Sequence, residues 1–496
     1  MYCWMIGDGQ LGGPGPRAMG PGAGRWECDG GDGRMTAAHV PAELLSRAGL
    51  SVAEVEDWAA SPPALEGSFA AAASAVSVFL GRGQALSRRL PAPAASTADE
   101  RAAREAIGAV MNGAREHFLR SHTAALYDTL TAGRTRSLRL GELADQAATL
   151  VPGLVPSPAE MDAERARALP DKEGVEFAHG LLISHILARP EPGRHLIEVM
   201  LEPTAAAFDH LGELRATGTA DLGPVRVVRR GRAGILELSN PRHLNAEDET
   251  TLAATECGID LILLDEAIEV GVLRGGVTQH PRYPGMRVFG SGINLTHLYH
   301  GRIDFLFYLR RDLGYVNKIY RGIVPATHDP DGAVEKLWVA AVECFAIGGA
   351  CQLLHVVDHV IATRGARLFL PARKEGIIPG ASNLRLPRFV GDRAARQAIL
   401  SGREWTAGEP DAALLCDEVV EPGEMDRAIE QRVTALTGSG LVNATANRRT
   451  LRAGQEPLDL FRGYMATYAR EQASCHLSPA LVHNLETHWD ARRRSM

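Results

Sequence analysis

The sequence predicts an α/β fold, because three observations converge on a sheet whose strands lead into helices through tight turns. Leu337–Val342 is a continuous apolar run, which is typical of a strand buried on both faces. A turn with two adjacent glycines follows, and Cys351–Val357 can continue from it as a helix. Apolar runs and helical segments alternate over residues 225–420, which indicates repeated ββα units around a parallel-rich sheet.

The predicted elements of this α/β part follow one another in a regular order. They are the strand pair Val225–Val228 and Ile235–Leu238, the helix Glu249–Leu264, the strand Val270–Leu273 and the helix Ile303–Tyr320. Gly231 supplies the turn of the strand pair, since glycine accepts backbone angles that other residues avoid. Further helices are predicted at Asp426–Leu436 and Leu458–Ser474.

Four parts are predicted along the 496 residues. Residues 1–34 are rich in Gly and Pro and form a disordered or non-native extension, and residues 35–222 form a helical domain. The α/β core covers residues 223–437, and a helical segment covers residues 438–496. Gly7–Gly12 matches the G-x-G-x-x-G pattern, but prolines follow where a helix must begin, so a nicotinamide or flavin site is rejected.

Composition predicts a soluble protein with a sizeable core. Hydrophobic residues make up 45% of the chain, charged residues make up 23%, and the net charge is -7. This negative charge opposes broad binding to nucleic acid or to anionic membranes. The seven cysteines are scattered without a C-x-x-C pair, which predicts reduced thiols and a cytoplasmic protein. No apolar run is expected to reach the length of a membrane span.

Two segments of the core carry glycine turns that can present backbone N–H groups. They are Ser291–Asn294 and Ala346–Gln352. Glycine allows a ligand to approach the backbone closely, and a helix N-terminus adds unpaired N–H groups and positive potential. A developing oxyanion fits such a place, and two turns of this kind suit the enolate of a thioester.

Together with Leu370–Gly380, which ends in Gly-x-x-Pro-Gly, these turns resemble the crotonase superfamily over roughly residues 225–436. The resemblance implies a ββα superhelix core and an acyl-CoA thioester as substrate. It implies C-terminal helices that pack between subunits, hence a homotrimer or homohexamer. It also implies that the backbone N–H groups of Ile293 and Gly349 form an oxyanion hole.

Two positions depart from the pattern of the enoyl-CoA hydratases in this superfamily. Gln352 and Ala372 stand where those enzymes carry their two catalytic glutamates. An amide is not a carboxylate base, and a methyl group moves no protons. Hydration by the usual pair of carboxylates is therefore not expected.

These departures are similar to those of a subgroup of cofactor-independent dioxygenases that act on arylacetyl-CoA thioesters. The similar segments outside the shared core pattern are Gly193–Leu196, Ala246–Asp248, Tyr308–Arg311 and Arg373–Gly391. The resemblance implies that O2 and the thioester are substrates and that no metal or other cofactor takes part. Two alternatives stay open: another acyl-CoA hydrolase, hydratase or isomerase, and a catalytically silent CoA-binding assembly protein. The base that removes the α-proton is not identified.

The resemblance singles out three side chains, each of which also has a simpler interpretation. Arg311 would bind a phenolic hydroxyl, although Arg-Arg-Asp on a helix is usually a solvent-facing ion pair. Glu247 would contact a ring hydroxyl, with Asp248 and Glu249 at the surface, although an acid near a helix N-terminus is commonly stabilised there by the dipole. Gln352 would orient a bound oxygen species, although a buried amide can simply satisfy backbone groups.

Two histidine clusters and one arginine cluster are weighed as binding sites. His355, Asp358 and His359 resemble a metal cluster, as do His297 and His300. A metal site is rejected, because the chain passes from helix to strand at His355–His359 and loses the helical i, i+4 geometry. The arginines that either meet CoA phosphates or form a solvated strand edge are Arg226, Arg229, Arg230 and Arg232.

Overall fold

The computed structural model of the protein describes residues 40–324, 333–438 and 440–494. The predicted extension at residues 1–34 and its Gly7–Gly12 motif lie outside the described residues. Helices occupy the chain first, and the sheet begins at residue 219.

The N-terminal helices extend over residues 42–217. They are α1 (Ala42–Arg47), α2 (Val52–Ala59), α3 (Phe69–Ser87), α4 (Ala98–Leu130), α5 (Leu140–Leu150), α6 (Pro158–Arg165), α7 (Phe177–Ala188), α8 (Pro190–Leu201) and α9 (Ala205–Thr217). The 33-residue α4 begins at a capping box, in which Thr97 and Glu100 each accept from the other's backbone N–H. The predicted helical character of this region is confirmed.

The core contains two sheets. The strands are β1 (Thr219–Asp221), β2 (Val225–Arg230), β3 (Ala233–Leu238), β4 (Val270–Gly275), β5 (Leu337–Val342), β6 (Phe345–Ile347), β7 (His359–Thr363), β8 (Arg367–Phe369), β9 (Glu404–Thr406) and β10 (Glu418–Val420). The main sheet has the order β1-β2-β3-β4-β5-β7-β10 and is parallel from β3 onward. β6, β8 and β9 form the small second sheet.

The remaining helices alternate with these strands and then continue to the C-terminus. They are α10 (Glu249–Leu264), α11 (Leu295–Tyr299), α12 (Phe305–Leu313), α13 (Tyr315–Arg321), α14 (Gly349–Leu353), α15 (Ala372–Glu375), α16 (Ser382–Arg396), α17 (Met425–Gly438), α18 (Leu441–Gln455), α19 (Leu458–His476) and α20 (Pro479–Trp489). This alternation confirms the predicted α/β class. The antiparallel pair β2-β3, helix α10 and strand β5 also lie where the sequence predicted them.

Two predicted helices differ from the structure in extent. The segment Ile303–Tyr320 contains two helices rather than one, because the backbone leaves the helical region at Gly314, where φ is -86° and ψ is -116°. The helix predicted at Cys351–Val357 begins earlier, at Gly349, and ends at Leu353. Both differences arise at turns that apolar periodicity does not detect.

One hydrophobic core extends from the N-terminal helices through the sheet to the C-terminal helices. Helix α19 packs along α7 and α8, so the C-terminal segment covers helices of its own chain. Helices α5, α7, α8 and α19 all pack against α12 and bury it. The N-terminal helices therefore position the helix that carries Arg311. The division into four parts stays a prediction.

Within the described residues, α3 is long and apolar enough to cross a membrane, by length and composition alone. The expectation that no apolar run reaches that length is therefore wrong. Helix α3 packs against α4, and its Val76, Phe79 and Leu80 belong to the core. These core contacts explain the apolar residues on the face toward α4, and the absence of a membrane partner stays a prediction.

Candidate active site

The two predicted glycine turns lie side by side. The Gly290 N–H donates to the Phe345 carbonyl at 3.4 Å, and the Ile347 N–H donates to the Gly290 carbonyl at 3.0 Å. Gly290 thereby pairs with Ala346 in a short parallel bridge. These bonds join the loop before α11 to the strand before α14. Gly292 and Gly348, which follow the bridge on the two segments, are therefore neighbours.

Glycine is required where the two turns touch. A methyl group on Gly292 would lie 3.0 Å from the Gly349 nitrogen and 2.9 Å from the Ile347 carbonyl oxygen. The backbone φ is +84° at Gly292 and +53° at Gly348, in the region that favours glycine. Close contact and backbone angle therefore both select glycine here.

The N–H groups of Ile293 and Gly349 have no acceptor within the described residues. The Glu247 N–H donates to the Gly292 carbonyl at 2.7 Å. The Asn294 N–H donates to the Glu247 carbonyl at 2.8 Å. These two bonds form a parallel bridge between Glu247 and Ile293 in which the Ile293 N–H takes no part. Gly349 is the first residue of α14, where an N–H has no partner inside the helix. Two neighbouring free donors can bind one oxygen that gains negative charge.

Arg311 is the centre of a buried polar cluster next to Gly349. Its guanidinium binds the Glu247 carboxylate through Nε and Nη2. The same Nη2 donates to the Gly349 carbonyl at 2.6 Å, and Nη1 donates to Gln352 Oε1 at 2.9 Å. Arg311 is 2% exposed, so the interpretation as a solvent-facing ion pair is wrong. The structure thus brings together the side chains that the resemblance singled out, in a bidentate geometry that fixes their positions.

The charged residues next to this cluster have structural partners. Arg310 binds Glu249 at 2.6 Å and Asp304 at 3.1 Å. Asp248 is buried, and its prediction as a surface residue is wrong, because its carboxylate caps α10 and accepts from the Asn294 side chain at 2.9 Å. Asp248 thereby anchors the start of α11, directly after the first turn.

Sequence reasoning misses Tyr315 and Asp312, which belong to the same cluster. The Tyr315 hydroxyl donates to Glu247 Oε2 at 2.6 Å, and Arg311 lies 5.5 Å from the centre of the Tyr315 ring. Asp312 Oδ1 lies 3.3 Å from Arg311 Nη1. Burial raises the pKa of Tyr315 well above its usual range, so its hydroxyl remains a donor. The i, i+4 spacing of Arg311 and Tyr315 was an available signal, although two different helices carry the pair.

The Gly-x-x-Pro-Gly segment approaches Gln352 closely. A methyl group on Gly380 would lie 2.6 Å from Gln352 Oε1 and 2.6 Å from Asp312 Oδ2. The Tyr464 hydroxyl, on α19, donates to the Gly380 carbonyl at 2.5 Å. This packing explains the last glycine of the motif and brings the C-terminal helix α19 to the site.

Glu375 is a buried carboxyl group beside the two turns, and sequence reasoning misses it as well. Its oxygens would lie 3.4 and 3.9 Å from a Cβ atom on Gly348. No hydrogen bond or ion pair reaches its carboxyl group within the described residues. Burial raises the pKa of Glu375 to about 8. The available signal was a glutamate three residues after Ala372, a spacing that shares one face of a helix.

A cavity of about 260 Å³ opens next to Ile293. Its apolar lining includes Leu244, Ala246, Ile347 and Phe369. The basic side chains in its lining are Arg242, His243, His280, Arg282, Arg367 and Arg494. A wall of this composition suits a long ligand with an apolar arm and several anionic groups.

The strand arginines at positions 226–232 lie elsewhere, since none of them is among the residues that line this cavity. Arg229 pairs with Asp265 at 2.9 Å. Arg232 pairs with Glu269 and donates to a backbone carbonyl at 3.0 Å. These pairings support the strand-edge interpretation of the cluster over contact with CoA phosphates.

The histidines of the two suspected metal clusters have separate partners. His355 lies 3.0 Å from a serine hydroxyl, whereas His359 begins strand β7. His297 pairs with a buried carboxylate at 3.0 Å, and His300 lies 2.8 Å from a backbone carbonyl. Across the described ranges, no three His, Cys, Asp or Glu side chains are placed to hold a metal ion.

Residues 233–459 match the family model described as Enoyl-CoA hydratase/isomerase. A relative from Amycolatopsis orientalis is 48% identical over 385 residues, which cover 77% of this chain and 88% of the relative. The chain therefore belongs to the enoyl-CoA hydratase/isomerase family, the crotonase superfamily, as its turns predicted. That relative is a (3,5-dihydroxyphenyl)acetyl-CoA 1,2-dioxygenase.

Other proteins match a smaller part of the chain. A probable enoyl-CoA hydratase from Rhizobium meliloti is 29% identical over 210 residues, covering 42% of this chain and 72% of the relative. Among solved structures, carnitinyl-CoA hydratase from Mycobacterium avium is 22% identical with a TM-score of 0.45. That match covers 55% of this chain and 98% of the solved chain.

Proposed function

We propose that this protein is a (3,5-dihydroxyphenyl)acetyl-CoA 1,2-dioxygenase, which converts its thioester substrate and O2 to 3,5-dihydroxyphenylglyoxylate and free CoA. One observation carries the proposal. The free N–H groups of Ile293 and Gly349 adjoin a buried cluster that holds Gln352 where hydratases carry a glutamate. The dioxygenase from Amycolatopsis orientalis, at 48% identity, supports the same substrate.

The first step forms an enolate. The thioester carbonyl oxygen accepts hydrogen bonds from the N–H groups of Ile293 and Gly349. Negative charge builds on this oxygen as the α-proton leaves, so both donors bind the transition state more strongly than the substrate. Loss of one such donor typically slows catalysis by ~10²–10³-fold.

The ring hydroxyls bind at the Arg311 cluster. Glu247 accepts a hydrogen bond from one phenolic hydroxyl, and the Arg311 guanidinium donates to the ring oxygens. Because Arg311 also binds the Gly349 carbonyl, the ring site and the oxyanion hole share one rigid support. Such support aligns the α-carbon before the reaction begins.

The second step consumes O2. The electron-rich enolate reduces O2 directly, and recombination forms a peroxide at the α-carbon. The terminal peroxide oxygen attacks the thioester carbonyl and expels CoA, after which the O–O bond breaks and the second α-hydrogen leaves as a proton. Both oxygen atoms remain in the α-keto acid, and the enolate is the only reductant that this route requires. Gln352 orients the oxygen species, since an amide donates and accepts hydrogen bonds without removing protons.

The proposal extends to the setting of the reaction. We expect a cytoplasmic homotrimer or homohexamer that supplies the precursor of dihydroxyphenylglycine for glycopeptide antibiotics. The superfamily supports the assembly, as do the exposed side chains of Leu400, Val442 and Leu451, which a partner subunit would cover. Light scattering on the purified protein tests the oligomeric state.

The experiment that tests the activity measures oxygen consumption by chelator-treated, metal-free protein given (3,5-dihydroxyphenyl)acetyl-CoA. A thiol reagent follows free CoA in the same sample. We expect one O2 consumed for each CoA released. Release of CoA without O2 uptake would identify a hydrolase instead, and tight thioester binding without turnover would identify a silent CoA-binding protein.

A further inference from the structure

The proposed dioxygenase needs a base for the α-proton, and the two family positions provide none. Gln352 is an amide, and Ala372 has only a methyl group. Glu247 accepts from both Arg311 and Tyr315, and the adjacent Arg311 cation stabilises its negative charge, which makes it a weaker base. A free carboxylate beside the oxyanion hole would be better suited to this task.

Glu375 lies at the junction of the two glycine turns. A Cβ atom on Gly348 would lie 3.4 Å from Glu375 Oε1 and 3.6 Å from the Gly292 Cα atom. Gly348 directly precedes Gly349, and Gly292 directly precedes Ile293. The carboxyl group therefore lies beside the turn that supplies the Gly349 donor, and the residue before the Ile293 donor contacts the same turn.

Glu375 also differs from every other buried carboxylate in the described part of the chain. Glu164, Asp260 and Glu456, for example, each accept from lysine, arginine or backbone donors. The carboxyl group of Glu375 has no such partner, and the residue as a whole is 6% exposed. Burial of an unpaired acid is unfavourable for folding, and such groups concentrate at functional sites.

We propose, on the basis of the dioxygenase function, that the Glu375 carboxylate removes the α-proton of the thioester. The α-carbon–hydrogen bond breaks, and the proton moves to a carboxylate oxygen of Glu375. The electron pair of that bond moves to the thioester oxygen held by Ile293 and Gly349. After the peroxide expels CoA, Glu375 returns the proton to the CoA thiolate, which restores the carboxylate.

Asp312 is the nearest competitor for this role. It lies close to Gln352, but its Oδ1 is 3.3 Å from Arg311 Nη1, which stabilises its charge. A carboxylate without a cation beside it is the stronger base. Burial raises the pKa of both carboxyl groups, so the ion pair with Arg311 is what sets Asp312 apart from Glu375.

The test separates enolate formation from oxygen chemistry. The protein is incubated without O2 in D2O with (3,5-dihydroxyphenyl)acetyl-CoA, and mass spectrometry follows deuterium uptake at the α-carbon. We expect Glu375→Gln to slow the exchange by at least ~100-fold, the lower range for loss of a general base. Glu375→Asp should retain part of the exchange, and formate should restore part of it to Glu375→Ala.

Two controls separate a chemical role from a structural one. Glu421→Gln changes an exposed glutamate that pairs with Arg364 at 2.6 Å, and it should exchange like the unchanged protein. Thermal unfolding of Glu375→Gln should show a folded protein, because the substitution removes no hydrogen bond. A folded Glu375→Gln protein that exchanges at the unchanged rate would overturn the assignment.

The same measurement distinguishes this proposal from the proposed function. If the unchanged protein exchanges the α-proton but consumes no O2 in air, the dioxygenase is rejected. The exchange rate of Glu375→Gln would then still test the role of Glu375 in enolate formation, because exchange requires no O2. If the unchanged protein neither exchanges nor consumes O2, both proposals are overturned.

Discussion

The Arg311 guanidinium donates to the carbonyl oxygen of Gly349 at 2.6 Å, while the N–H of Gly349 meets no acceptor in the part of the chain that the structure describes. The same residue, Gly349, therefore binds the buried Arg311 cation through its carbonyl and presents its N–H to the oxyanion hole. The cation also binds Glu247 and Gln352, so the position of the donor depends on the whole polar cluster. Substitutions in the cluster should consequently affect both ring recognition and charge stabilisation.

Arg311→Ala should impair the dihydroxyphenyl substrate more than plain phenylacetyl-CoA. We expect the ratio of kcat/KM for the two thioesters to fall by about 10- to 100-fold, the range for loss of a charge-assisted hydrogen bond. Both substrates should also lose some rate, because Gly349 loses its support. Arg310→Ala is the control, since Arg310 binds Glu249 and Asp304 outside the site. Equal losses on the two thioesters would exclude contact between Arg311 and the ring.

Gly292→Ala should separate the two turns. The added methyl would lie 3.0 Å from the Gly349 nitrogen, so the two donors would no longer reach one oxygen. We expect kcat to fall by ~10²–10³-fold with little change in KM, measured by CoA release. Gly365→Ala is a matched control, because its φ of +82° carries similar strain but no atom lies within 4 Å of the added methyl. A similar loss of kcat in both variants would attribute the effect to backbone strain.

Gln352→Glu should weaken the dioxygenase without creating a hydratase. The new carboxylate would lie near Asp312 and compete for Arg311, which disturbs the cluster. Hydration of crotonyl-CoA should remain undetectable, because Ala372 still lacks the second carboxylate. We expect O2 uptake to fall at least ~10-fold, a loss near 1.4 kcal/mol. Gln397→Glu, at an exposed position, is the control and should keep full activity. Measurable hydration by Gln352→Glu would show that a single carboxylate at position 352 is sufficient for a hydratase.

Glu375→Gln should change how stability depends on pH. The pKa of Glu375 is raised from 4.5 to about 8, so the folded protein binds more protons than the unfolded chain between these pH values. The free energy of unfolding contributed by this group therefore falls as pH rises through that window. Burial raises the pKa of the neighbouring Tyr308 far above it, so this tyrosine does not titrate there.

Urea unfolding at pH 5, 7 and 8.5 measures this effect. We expect Glu375→Gln to match the unchanged protein at pH 5 and to be more stable than it at pH 8.5. Glu421→Gln should follow the unchanged protein at all three pH values. Parallel pH profiles for Glu375→Gln and the unchanged protein would show that the carboxyl group finds a partner.

Several elements could be predicted because their signals are local. The run Leu337–Val342 is apolar throughout and forms strand β5, and Glu249–Leu264 has a helix cap and an apolar face and forms α10. The break at Gly314 was missed, because apolar residues continue on both sides of it. The helix after the second turn was predicted too long, since apolar residues continue into the turns that precede β7.

Arg311 shows why the contacts of the site cannot be predicted from residues that are neighbours in the sequence. Beside Arg310 and Asp312 it has the sequence of an exposed ion pair, yet it is buried against Glu247, which is 64 residues away in the chain. Helices from the N-terminal region exclude solvent from α12, and that contact cannot be read from the residues near Arg311. Glu375 was missed for a related reason, because a glutamate between Lys374 and Gly376 has the sequence of a surface residue.

The sequence by itself determined the family and the two glycine turns and predicted the donors Ile293 and Gly349, because backbone N–H groups and glycine angles depend on residues close together in the chain. Only the tertiary structure decided which charged side chains are buried, which of them are paired, and that Glu375 has no hydrogen-bond or ion-pair partner among the described residues. Burial and pairing depend on segments distant in sequence, and the free energy of a charge is set by the groups that replace its water.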